Sequence, residues 1–186
     1  MHETLLSRVP HEQLPEGAAQ AWEMLNELTA KPTFVEVFAN APELLDFVMQ
    51  RFYMEIFFAG RVEEKYKQLA RLRLSLLHGC RTCNLQNVIG MAESGYSQEQ
   101  IRALEQDNID SFTEAEQAVI GLADKIAMTN PDGELTPELH EKLSRHFSSA
   151  EICELGLVMG VISGLAKMAF SFNLVEKEGY CQFGSQ

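Results

Sequence analysis

The sequence holds little cysteine, proline or glycine and few basic side chains, and each shortage excludes something. Four cysteines in 186 residues are too sparse for the disulfide scaffold of a small secreted domain. Six prolines and twelve glycines leave long stretches uninterrupted, and strand-like alternation is almost absent. Fifteen basic side chains against 27 acidic ones give a formal charge of −12, which disfavours nucleic acid and an anionic membrane surface alike. No basic segment followed by an apolar run opens the chain, so no signal peptide is read there. The most apolar stretch, Leu155 to Ala166, is bounded by Glu154 and Lys167. It falls short of the roughly 20 residues that span a bilayer and reads as a buried core helix. A cytoplasmic protein is expected, in which a cysteine pair serves redox or metal chemistry sooner than scaffolding.

Helix starts are what the chain has in number. Ser97 with Gln100, Thr113 with Glu116 and Ser148 with Glu151 fit the capping box, where a hydroxyl accepts from the third helical N–H while the Glu or Gln reaches back. Thr136–Pro137 adds a start with proline in the first helical position. Helices are predicted near 16–30, 34–39, 42–58, 62–78, 81–94, 98–106, 113–128, 137–146 and 149–176. The fold class is all-α, as a single domain. An N-terminal arm runs to about residue 39, a core from about 40 to 128, and C-terminal helices from about 129 to 186.

Leu69, Leu72 and Leu76 form one stripe, broadened by Leu74 and Leu77, so the 62–78 helix should be heavily buried. Gly79 sits where a left-handed residue would end it, and Gly95 does the same for the next helix. Gly156, Gly160 and Gly164 recur every four residues on the last helix. They are expected to admit a neighbouring helix of the same chain, with a subunit contact as the alternative. Trp22 is expected to dock the N-terminal arm onto the core. Phe47, Phe52, Tyr53, Phe57 and Phe58 read as core, with a ligand pocket as the alternative.

Cys80–Arg81–Thr82–Cys83 is a C-x-x-C on the first turn of a predicted helix. Unpaired N–H groups and the helix dipole favour negative charge there and so raise the thiolate fraction. Arg81 and the nearby Arg71 and Arg73 could add to this. Two sulfurs one turn apart can bridge, so one can attack a substrate and the other resolve the product. The plainer alternative is a pair of small, inert core residues. No metal is expected: His2, His11, His78, His140 and His146 form no i, i+4 pair, and no second Cys/His cluster completes a zinc site. Cys153 reads as packing. Cys181 falls in a tail, Gly179–Gln186, expected to be mobile. No G-x-G-x-x-G or G-K-S/T occurs, which argues against dinucleotide and nucleoside triphosphate cofactors.

The stretch from Gln68 to Ile101 resembles the core of the alkylhydroperoxidase D branch of the carboxymuconolactone decarboxylase family. The shared features are the Gly-Cys-x-x-Cys corner at Gly79–Cys83, the small-residue helix after it and the Gly95–Tyr96–Ser97 turn. Upstream, Asn40–Ala41–Pro42–Glu43–Leu44 looks like the family's opening motif. The resemblance implies a helical bundle of that type, assembling as a dimer, trimer or hexamer of identical chains. It further implies a thiol-dependent antioxidant enzyme that reduces hydroperoxides through a dithiol/disulfide cycle. Cys83 would attack and Cys80 resolve, with no cofactor beyond the redox-active Cys80–Cys83 disulfide. A dithiol donor such as a lipoyl or thioredoxin-like protein would recharge the pair.

Three positions depart from the family pattern. Its acidic residue falls on Gln68, its histidine after the second cysteine on Asn87, and the histidine between the cysteines on Thr82. Gln and Asn can copy hydrogen bonds but cannot take a proton at neutral pH. His78, two residues before Cys80, is the remaining candidate activator, against a plainer reading as a helix-end residue paired with a carbonyl. The alternatives are a thiol–disulfide exchanger or redox sensor with weak peroxidase activity, and a non-catalytic oligomer that binds a small apolar ligand or a partner.

Overall fold

The computed structural model describes residues 3–29 and 31–183. His2, the predicted helix end at Ala30 and the last three residues of the predicted tail lie outside the described residues. The elements are α1 (Glu16–Thr29), α2 (Thr33–Phe38), α3 (Pro42–Asp46, continuing without a break as the π-helix Phe47–Phe58), α4 (Glu64–His78), α5 (Arg81–Glu93), α6 (Gln98–Glu105), α7 (Glu114–Ile126), α8 (Pro137–Ser144) and α9 (Ser149–Ser171). All three capping boxes form, and the Thr136 hydroxyl accepts from the Leu139 N–H. The predicted helices are present, with most ends shifted by a residue or two.

The exception is the end of α9, five residues before the expected one. Asn173 adopts a left-handed φ of 55°, and the Leu174 N–H reaches back to the Ala169 carbonyl at 2.9 Å. That is the Schellman arrangement, with asparagine in the place usually held by glycine.

Helix α4 lies at the centre because it is apolar on two sides. Leu74 packs with Val119 and Leu122 of α7 and with Leu155 and Met159 of α9. Leu69 and Leu72 pack with Met91 of α5, Ile101 and Leu104 of α6, and Ile120 of α7. Enclosure carries α4's polar side chains inside too: Lys67, Gln68, Arg73, Ser75 and His78 are all buried. A buried polar group without a partner is costly, and the charged ones are paired. Lys67 Nζ donates to the Ile56 carbonyl at 2.8 Å and meets Glu154 Oε1 at 3.2 Å. Glu154 also accepts the backbone N–H groups of Arg61 and Val62. Arg73 is clasped by Asp107 at 2.7 Å and Asp124 at 2.6 Å.

Several sequence expectations are corrected. Trp22 docks α1 on α2, giving its indole N–H to Glu36 at 2.8 Å, within a separate N-terminal cluster built on Ala18, Ala21, Val35 and Leu45. Phe52 and Phe57 are core, packed on Val158, but Phe47 and Phe58 stand exposed. A Cβ added at Gly156, Gly160 or Gly164 would meet nothing within 4 Å. The glycine stripe therefore faces outward and admits no helix of its own chain. Cys153, on the same helix, is exposed rather than packed. With 23 residues, α9 is long and apolar enough to cross a bilayer by length and composition alone. Its inner side nevertheless holds Glu154 in the ion pair with Lys67 and packs on α4 and α7, the setting of a bundle's core helix.

Candidate active site

Gly79 makes the corner from which the site is built. It takes φ 67°, which ends α4, and the chain turns at once into α5 with Cys80 as the N-cap residue. Cys80 and Cys83 are joined as a disulfide with their Cα atoms 5.2 Å apart. The Cys80 sulfur accepts the Cys83 backbone N–H at 3.2 Å. The two sulfurs differ in access: Cys80 is fully buried, whereas Cys83 is partly exposed.

Cys80 is buried because the C-terminal segment lies across it. The tail expected to be mobile instead forms a strap through residue 183. Glu176 N–H donates to the Thr82 hydroxyl at 2.9 Å, and Glu178 N–H to the Gly79 carbonyl at 2.8 Å. Between them Lys177 makes an antiparallel bridge with Cys80. Farther along, the Cys181 thiol donates to the His78 carbonyl at 3.0 Å, and Phe183 stacks on Phe170 of α9. A Cβ on Gly79 would come within 2.7 Å of the Cys181 Cα, so glycine is required there for space as well as for φ. Removing residues 176–186 is expected to raise the alkylation rate of Cys80 in the reduced protein by roughly tenfold or more, with little change at Cys83. Timed thiol labelling with mass mapping measures both rates.

The arginines thought able to favour a thiolate are engaged elsewhere. Arg81 pairs with the strap through Glu176 at 3.5 Å and Glu178 at 3.9 Å. Arg71 lies over the rings of Tyr53 and Phe57, and Arg73 belongs to Asp107 and Asp124. What remains is the helix start itself, and its N–H groups favour negative charge on the Cys80 sulfur.

Gln68 and Asn87 lie in the seam between α4 and α5, both buried. Asn87 Nδ2 donates to the Arg71 carbonyl at 3.1 Å and to the Ser75 hydroxyl at 3.0 Å. Gln68 Nε2 donates to Glu64 at 3.0 Å. These partners fix both amides with their oxygens unpaired inside the seam. Gly90 allows the approach, since a Cβ there would sit 2.6 Å from Gln68 Oε1. Thr82 faces the strap. Asn87 and Thr82 thus tie elements together and Gln68 bonds within α4, and none of the three can accept a proton at neutral pH.

His78 is not a base for the cysteines. Its Nε2 accepts the Met128 backbone N–H at 3.1 Å, so it pairs with an amide rather than a carbonyl, and its proton lies on Nδ1. Burial pushes its pKa down from 6.5 to about 4, so the ring is neutral through the physiological range. The unfolded chain binds this proton more readily, and the resulting stability is complete above pH 6.5 and is lost as pH falls towards 4. A difference of this size is worth about 3 kcal/mol. Urea unfolding at pH 7 and pH 4 should show it in the native chain, and a His78→Gln variant, which keeps an acceptor for Met128, should lack that increment.

Sequence reasoning missed the strap residues Glu176, Glu178 and Cys181, and the roles of Ser75 and Glu64. The backbone pairing of 79–82 with 176–178 joins segments nearly a hundred residues apart, and local pattern carries no signal for it.

Residues 42–125 match the Carboxymuconolactone decarboxylase family. Among curated proteins none matches the chain significantly. Several solved structures are similar to it. One is a protein of unknown function from Agrobacterium tumefaciens, assigned provisionally to antioxidant defence as AhpD. It is 25% identical, with a TM-score of 0.64, over 73% of this chain and 92% of that one. An uncharacterized peroxidase-related protein from Ralstonia eutropha, with an alkylhydroperoxidase AhpD core, has a TM-score of 0.73 at 10% identity, covering 96% of this chain and 94% of the other. A further uncharacterized peroxidase-related protein, from a Silicibacter species, has a TM-score of 0.69 at 16% identity, covering 99% and 97%.

Proposed function

From a chain that carries the carboxymuconolactone decarboxylase family pattern over residues 42–125 on an AhpD-like fold, we infer a thiol-dependent antioxidant enzyme that reduces hydroperoxides through Cys83 and Cys80. The observation that carries this reading is the disulfide at the head of α5, with one sulfur reachable and the other buried. In the reduced protein the Cys83 thiolate attacks the terminal peroxide oxygen. The O–O bond breaks, Cys83 becomes a sulfenic acid, and the alkoxide leaves as the alcohol after taking a proton. Cys80 then attacks the Cys83 sulfur, expels water and closes the disulfide.

Reduction runs through the same reachable atom. One thiolate of an external dithiol attacks the Cys83 sulfur, and Cys80 departs as a thiolate. Its sulfur is the one that the Cys83 N–H stabilises, and a stabilised thiolate is the better leaving group. The donor's second thiol then attacks the donor's first sulfur, Cys83 departs as a thiolate, and the donor leaves as a disulfide, oxidised by two electrons. A lipoyl or thioredoxin-like protein is the donor class proposed, and the working unit is taken to be an assembly of identical chains in the cytoplasm, with no metal or organic cofactor.

One feature favours a second reading, a thiol–disulfide exchanger or redox sensor. Gln68 and Asn87 are locked as structural amides, and exchange needs a thiolate and a good leaving sulfur rather than a proton relay. Steady-state turnover with a dithiol donor decides between the two when it is measured once with an organic hydroperoxide and once with a small disulfide as oxidant. The enzyme reading expects peroxide-driven turnover above the uncatalysed rate. Turnover with the disulfide alone would sink it in favour of exchange.

A further inference from the structure

A groove lies beside the cysteine corner and shares Glu178 of the strap with it, and no step of the thiol chemistry above uses it. It is open to solvent and offers about 750 Å³ between α4, α5, α6 and the strap, within the ~300–1,000 Å³ usual for small-molecule sites. Its floor is aliphatic: Leu76, Leu77, Leu85, Val88 and Leu104. Leu85 is 44% exposed, so apolar surface lies open to whatever enters.

The charged groups around that floor are mostly acidic. Glu105, Asp107 and Glu178 stand at the rim with Asn84 and Tyr180. Asn84 Nδ2 is turned towards Glu178 and Tyr180 at 3.3 and 3.5 Å, which leaves its Oδ1 buried and without a partner. Arg73, the one cation of the lining, is consumed by Asp107 and Asp124, and Glu178 is shared with Arg81. Glu105 has no ion-pair partner among the described residues. The rim therefore carries spare negative charge at Glu105, and a cation is the ligand that complements it.

We propose that this groove binds an amphipathic organic cation, an aliphatic body seated on Leu76, Leu85 and Val88 with a protonated amine at Glu105. An aliphatic carboxylate would place its charge against the Glu105 carboxylate and be rejected. A neutral alcohol would bind through the floor alone.

The test uses the full-length protein and three probes of equal chain length below their micellar range: decylammonium, decanol and decanoate, titrated calorimetrically. Decylammonium is expected to bind at least about tenfold more tightly than decanoate. Glu105→Gln should weaken decylammonium by about fivefold and leave decanol unchanged, and Leu85→Lys, at an exposed position, should abolish binding of both. No binding of decylammonium, equal binding of the three probes, or binding indifferent to both substitutions overturns the proposal. So does self-association that Leu85→Lys abolishes, because the groove would then be occupied by a second copy of the chain.

Discussion

Replacing Cys83 with serine is expected to abolish hydroperoxide turnover, lowering it by at least about 10³-fold, because the attacking atom itself is removed. A serine hydroxyl at this helix start has neither the acidity nor the polarisability of a thiol. Cys80→Ser should behave differently. Cys83 remains able to attack once, so the variant should consume about one equivalent of peroxide, stop, and accumulate a sulfenic acid that a dimedone-type reagent traps. The asymmetry follows from access: Cys83 is partly exposed, and Cys80 lies under the strap. Loss of all reactivity in both variants, or of none in either, would contradict the assignment of roles. Peroxide consumption and trapped adduct, measured side by side, separate these outcomes.

The largest expected effect on stability lies at the Lys67–Glu154 pair. The Lys67 side chain is wholly buried and that of Glu154 nearly so, and together they join α4, α9 and the loop after α3. Lys67→Ala should cost about 3–5 kcal/mol by leaving a carboxylate buried without its counter-charge. Burial alone would raise the Glu154 pKa, but hydrogen bonds from the Arg61 and Val62 backbone and from Lys67 outweigh it and hold the value below the ordinary carboxylate range. This contribution is present above that range and fades as pH falls through the lowered folded value. The double variant Lys67→Met with Glu154→Leu should recover most of the single-variant loss, since apolar replacements of similar volume need no counter-charge. Recovery stays incomplete because the Arg61 and Val62 N–H groups lose their acceptor. Urea denaturation of the parent and the two variants at pH 7 gives all the values needed. A Lys67→Ala loss under 1 kcal/mol would contradict this account of the pair.

Local chemistry made much of the fold legible. Capping boxes at Ser97, Thr113 and Ser148 marked three helix starts, and the left-handed glycine at 79 marked the corner that presents the cysteines. These are short-range rules, complete within a few residues. What stayed hidden depends on distant partners. Nothing around Glu176–Lys177–Glu178 announces a strap, because its hydrogen bonds go to Gly79 and Thr82. Lys67 looks like any surface lysine of an amphipathic helix until α9 closes over it with Glu154. The glycines of α9 were misread for the same reason: spacing shows that they share a face, not whether that face has a neighbour. The π-helical stretch Phe47–Phe58 is continuous with α3, and its apolar residues do not distinguish an i+5 ladder from an i+4 one.

The candidate site was legible in its sulfurs and not in their surroundings. The C-x-x-C spacing and helix start pointed to a bridge, and the disulfide is there. The electrostatics differ from expectation because Arg71, Arg73 and Arg81 each found a local partner, and the burial of His78 keeps it neutral. The proposed thiol chemistry therefore rests on the helix terminus, with no proton acceptor at Gln68, Thr82 or Asn87. Such a site should turn over peroxide more slowly than one with a positioned proton acceptor, which typically contributes ~10²–10⁴-fold.

The most direct measurement is residue-level mass mapping of the fully reduced chain after one equivalent of an organic hydroperoxide, sampled over time. The expected result is oxidation appearing first on Cys83 and passing into a Cys80–Cys83 bridge, with Cys153 and Cys181 still free. Oxidation that begins at Cys153 or Cys181, or a pair that stays reduced while peroxide is present, would contradict the central claim that Cys83 is the attacking sulfur.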